Sequence, residues 1–173
     1  MAQNPLLLNM LVTFHRFAPS AELPRQRLEL YRGISKLQLD DRPKARLITM
    51  LLSYRKNMVL LQKIAMGMVQ SNRFTLPKAA LLAFLEKQPH LQREDIAPAA
   101  WLQQIVDVSE LLVEREPGEY EFPHATFQGF FAASLLAQPE DLETIQKHAG
   151  LVLQNWNEAI WRETVLLYTA QLT

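Results

Sequence analysis

No cysteine occurs among the 173 residues, and glycine occurs only five times. The first absence removes disulfide frameworks, thiolate nucleophiles and cysteine metal sites together, and it fits a reducing compartment, so the cytoplasm is the expected location. The second is sharper. Phosphate-cradling loops need closely spaced glycines so that backbone N–H groups approach the phosphate. Gly33, Gly67, Gly118, Gly129 and Gly150 each stand alone, so the chain builds neither a P-loop nor a dinucleotide fingerprint. Charge of one sign is also missing: 18 Lys and Arg residues balance 18 Asp and Glu. A neutral chain lacks the electrostatic footprint that a nucleic-acid backbone or an anionic membrane selects, so neither is an expected partner. Long apolar runs are lacking too. The run Leu6 to Phe14 is interrupted by Asn9 and Thr13, has no basic segment before it and leads into His15 and Arg16. It is not a leader peptide, and no stretch approaches the ~20 residues of a membrane span.

What is present is a helical pattern with 49% apolar residues, in a chain long enough to bury roughly 70% of its unfolded surface. A helix opening at Pro5 carries Leu7, Leu8, Leu11 and Phe14 on one face. Leu28, Tyr31, Ile34 and Leu37 mark a second, which Asp40-Asp41-Arg42-Pro43 should close while capping the next. A third pattern runs from Lys44 to about Gln70, with a break expected near Arg55-Lys56-Asn57. Phe74, Thr75 and Leu76 suit a short extended piece, and helices follow over Lys78 to Lys87 and Ala97 to Glu110. The clearest strand signal is a hairpin, with arms Leu111 to Arg115 and Tyr120 to Phe122 flanking the Pro117-Gly118 turn. Further helices are expected from Ala125, over Leu142 to Leu153, and over Asn157 to Gln171. Helix, short strand, two helices and a hairpin is the element order of a winged helix. The predicted fold is therefore mainly α: a helical domain over 1–57, a winged-helix domain with a small β-hairpin over 58–138, and the start of a second helical domain over 139–173.

Catalysis finds no support in the residues. His15, His90, His124 and His148 are scattered without metal-ligand spacing, no serine lies in a nucleophile elbow, and Asp40-Asp41 reads as helix capping. DNA binding by the winged helix fares little better. The segment PAAWLQQIVDVSEL, which would enter the major groove, has no Lys or Arg and carries Asp107 and Glu110. The hairpin adds Glu114, Glu116, Glu119 and Glu121 against Arg115. Gln103 and Gln104 could read bases but would lack backbone contacts. His124 sits where a strand gives way to a helix, a position with free N–H groups that favours anions. From the residues alone it reads as a capping or packed histidine, with a phosphate contact as the alternative, and Phe122, Phe127, Phe130 and Phe131 read as core.

Three stretches together resemble a known family. NPLLLNMLVTFHR followed by LPRQRLELYRGISKL is similar to the segment that follows the nucleotide-binding core of NACHT ATPases of the STAND class. FPHATFQGFFAASLL resembles their F-x-H-x-T/S-F-Q-E-[FY]-x-A-A stretch, and NWNEAIWRETVLLYTAQL resembles the W-x-E-x-x-x-L helix of the next helical domain. The resemblance spans nearly the whole chain in the family's order. It departs at Gly129, where the family carries an acidic residue; a glycine there is expected to cost ~1 kcal/mol relative to alanine and to remove a salt bridge.

The resemblance implies a regulatory, non-catalytic part of a signalling ATPase of the kind found in bacterial defence and animal innate immunity. The Walker motifs, which the family places ahead of NPLLL, are absent. Pro5 would pack against the adenine region and His124 would reach the β-phosphate of ADP, both only with the ATPase core in cis. No cofactor is expected on the isolated chain, ADP or ATP with Mg in the intact protein, and a self-oligomer on activation. The alternatives are a free-standing winged-helix module that binds DNA or a protein partner, and an interaction scaffold without nucleotide coupling.

Overall fold

The computed structural model describes residues 5–17, 26–138 and 141–172. Helix α1, Pro5–Phe17, is followed by α2, Arg27–Lys36, which continues through a π-helical turn at Leu37–Asp41 into α3, Arg42–Ala45. Leu28, Tyr31, Ile34 and Leu37 are all buried, as their spacing requires. Pro43 has no N–H to offer four residues back, and the widened turn just before it has Arg42 N–H bonding to the Leu37 carbonyl. The expected stop at Asp40-Asp41 is therefore absent. Both carboxylates lie within continuous helix, where Asp41 accepts from Lys36 at 3.0 Å and Asp40 pairs with Lys44 at 2.7 Å.

The break expected near residues 55–57 falls earlier. Residues 46–53 form the loop, and α4 spans Tyr54–Gln70. Helix α3 ends with Leu47 at φ 57°, with Ile48 N–H bonded to the Pro43 carbonyl and Leu47 N–H to that of Lys44. That pair of bonds is a Schellman end, usually built on glycine. The same pair ends α4, with Asn72 at φ 55° and Arg73 N–H reaching the Met68 carbonyl.

Beyond α4 come β1, Thr75–Pro77, and helices α5, Lys78–Glu86, α6, Pro89–Arg93, and α7, Pro98–Gln104, the last prolonged by a π-helical turn at Ile105–Ser109. His90 lies in α6, a short helix between the two that the sequence pattern marks. Strands β2, Val113–Glu116, and β3, Glu119–Glu121, form the hairpin. At its turn Pro117 presets φ and Gly118 takes φ 80°, the order that a two-residue turn of this kind needs. The Gly118 carbonyl accepts from Lys78 N–H at 2.7 Å, which docks the hairpin onto the start of α5. The sheet is antiparallel, in the order β1-β3-β2, with Leu76 opposite Tyr120 and Glu114 opposite Tyr120 on the other side. A first strand paired to the far arm of the hairpin completes the winged-helix arrangement.

Three further elements follow: α8, Ala125–Leu136; α9, Leu142–Asn155; and α10, Arg162–Thr169, preceded by a 3-10 turn at Ala159–Trp161. Helix α8 is buried nearly all round, with Phe127, Gly129, Phe130, Phe131 and Ala133 among its buried residues. It is packed between α4 and α10. One hydrophobic cluster runs from Leu28 of α2 through α4 and α8 to Tyr168 of α10, so residues from all three expected units share a core.

Candidate functional site

Burial of Phe122 pins the end of β3, and its ring lies 5.4 Å from that of Phe131. Two residues later His124, extended at φ −158° and ψ 149°, is the N-cap of α8. Its Nδ1 accepts from Thr126 N–H at 3.2 Å and lies 3.1 Å from the Thr126 hydroxyl. A backbone N–H can only donate, so Nδ1 holds its lone pair and the proton of the neutral ring sits on Nε2. The residue is exposed, and its Nε2–H is a donor beside the positive end of a helix dipole. The capping role read from the sequence is what the bonds describe.

The platform under this cap is aromatic. Tyr31 of α2, fully buried, meets Phe127 edge-on at 5.4 Å and Phe130 at 5.6 Å, while Phe130 and Phe131 are 5.2 Å apart. Such pairs contribute about 0.5–1.5 kcal/mol each beyond the area they bury. They hold the first turn of α8 in place, and Gln128 adds a bond to the Arg73 carbonyl at 2.9 Å, ahead of β1.

Gly129 needs a different account from the one its sequence position suggests. A Cβ built there would lie 2.5 Å from the Cβ of Glu163 and 3.0–3.1 Å from backbone atoms of Glu163 and Thr164. The glycine lets α10 lie directly on α8. Nor is the region without a salt bridge: Glu163 accepts from Arg27 at 2.7 Å, and the Arg27 guanidinium stacks 5.9 Å over the Tyr31 ring. Burial lowers the pKa of Arg27, but Tyr31 and Glu163 together outweigh it, so the net shift is upward. Nothing in the sequence pointed to this pair, because its partners are 136 residues apart.

Pro5 opens α1, as expected, but its side chain lies outside the described residues, and the structure does not place it relative to His124. Helix α1 meets α2 through Phe14, whose ring edge would be 2.9 Å from a Cβ on Gly33.

Two residues of the helix that would read DNA, Gln104 and Glu110, contact other elements. Gln104 accepts from Leu51 N–H at 2.7 Å and donates to the Thr49 carbonyl at 3.0 Å, Gln103 donates to Asp107 at 2.8 Å, and Glu110 lies 3.6 Å from Arg42. Among the described residues no group of three or more His, Asp or Glu side chains could hold a metal ion, and no helix is long and apolar enough to cross a membrane. Compared with known proteins, the chain matches no family model and no curated protein.

Proposed function

We propose that this chain is the regulatory, non-catalytic part of a NACHT-type signalling ATPase. It would couple the nucleotide held by an ATPase core in cis to opening and self-association in the cytoplasm. One observation carries the reading: His124 is tethered through Nδ1 at the exposed start of α8 and keeps Nε2–H as a directed donor. That is the chemistry required to meet the β-phosphate of ADP. The order of the NPLLL, FPHATFQGFFAA and NWNEAIWRE segments supports the same assignment. ADP or ATP with Mg would bind between the core and this chain, with Pro5 at the adenine and His124 at the phosphate.

Two substitutions in the protein carrying the ATPase core separate capping from contact. Asparagine is an N-cap of the first rank but too short to reach a ligand, whereas alanine does neither. His124→Asn and His124→Ala should both release ADP and raise basal activity, while only His124→Ala should also lose about 1 kcal/mol of stability. Unchanged ADP content and unchanged basal signalling in both would remove the phosphate role. The isolated chain should neither hydrolyse ATP nor bind nucleotide measurably.

A free-standing winged-helix module is the second reading, and the lack of Lys and Arg over residues 98–111 together with the acidic hairpin favours protein over DNA as its partner. In an anisotropy titration at about 150 mM salt no binding to duplex DNA is expected. Affinity that falls steeply with added salt would contradict this.

A further inference from the structure

The outer face of the three-stranded sheet bears an open cleft of about 610 Å³ between the approach to β1 and the hairpin. Phe74 and Pro77 give it apolar surface, and Phe74 is 51% exposed although the chain has an extensive core to receive an aromatic ring. At the hairpin end Glu116 and Glu119 sit directly opposite each other across β2 and β3. Like charges in directly opposed positions destabilise a strand pair. The third carboxylate on this face, Glu121, is paired with Arg115 at 2.7 Å, but among the described residues Glu116 and Glu119 have no cation within salt-bridge distance. The opposed, unneutralised carboxylates break a rule of local stability, and they share one cleft with an exposed aromatic ring.

We propose that this cleft docks a polypeptide segment of a partner protein that carries a lysine or arginine next to an apolar side chain. The cation would lie between Glu116 and Glu119, relieving their repulsion, and the apolar side chain would cover Phe74 and Pro77. Arg73 lines the cleft close to Phe74, so the basic residue is directed to the hairpin end. With Glu116, Glu119 and Glu121 against Arg73 and Arg115, the cleft carries a net negative charge that disfavours phosphate backbones and anionic lipid headgroups, and its apolar part suits a protein segment. This surface is independent of His124 and of the nucleotide reading.

The test uses a fluorescent twelve-residue peptide of alternating lysine and leucine, titrated with the 173-residue chain at about 150 mM salt, against a glutamate-leucine peptide and an oligolysine of equal length. The lysine-leucine peptide should bind, and the other two should bind at least about tenfold more weakly. Glu119→Lys should weaken binding about tenfold or more while leaving the melting temperature equal or higher, because it turns the opposed pair into Glu116 and a lysine. Glu119→Gln should weaken binding less, and Phe74→Ser should weaken it without altering the salt dependence. No binding of the lysine-leucine peptide, equal binding of oligolysine, or wild-type affinity in Glu119→Lys or Phe74→Ser would each overturn the proposal.

Discussion

Gly129→Ala should destabilise the chain by about 2 kcal/mol, although alanine is worth ~1 kcal/mol more than glycine in a helix interior. The methyl group would meet Glu163 Cβ at 2.5 Å and the backbone of α10 at 3.0–3.1 Å. Backbone cannot swing aside as the end of a flexible side chain can, so α10 must lift off α8. Overpacking of this kind costs roughly 1–3 kcal/mol where neighbours relax. Here the relaxation would also disturb the buried Ile160, Trp161, Leu167 and Tyr168 and the Arg27–Glu163 pair. The melting temperature should fall by roughly 4–8 °C for a chain of this size. Gly67 in α4 supplies the control, because nothing lies within 4 Å of a Cβ placed there. Gly67→Ala should therefore stabilise, by about 0.4–1 kcal/mol. Melting temperatures of the two variants in parallel decide the matter: a rise in both would mean that α10 is not seated on Gly129 as described.

Those two glycines show where the sequence is legible and where it is not. Local chemistry was readable: Pro117-Gly118 announced its turn and His124 its cap, because each acts on atoms within a few residues. Leu47 ends α3 with the same bonds that Asn72 uses to end α4, but a leucine gives no notice of a left-handed backbone, so the break was expected too late in the chain. Asp40-Asp41 looked like a cap since the proline behind it suggested a stop, and a π-helical turn instead carried the helix on. The need for glycine at 129 is set by Glu163, and the anchor of Glu163 is Arg27; neither relation has a short-range signature. For the candidate site, the position and cap of His124 were within reach of sequence reasoning. The clamp of α2, α8 and α10 that steadies α8 was not.

A second large effect is expected at a residue that composition alone would place on the surface. Asn57, in the first turn of α4, is 1% exposed; its Oδ1 accepts from Trp101 Nε1 at 2.8 Å and its Nδ2 donates to the Leu52 carbonyl at 3.0 Å. One side chain thus joins α4, the 46–53 loop and α7. Asn57→Leu keeps approximate volume and adds apolar surface, yet it leaves the indole N–H and the Leu52 carbonyl without these partners, and each such loss costs about 1–3 kcal/mol. A net loss of about 3 kcal/mol is expected, read as a lower urea midpoint at unchanged slope. Trp101→Phe removes the indole donor, so the double variant Asn57→Leu/Trp101→Phe should lose clearly less than the sum of the two single losses. Strict additivity would show that the bond carries no coupling. Both Asn57 and Gln104 hold α7 against the loop, so the seating of this helix depends on the pair. Loosening it through Asn57→Leu should therefore expose the loop to proteolysis before it creates any affinity for duplex DNA.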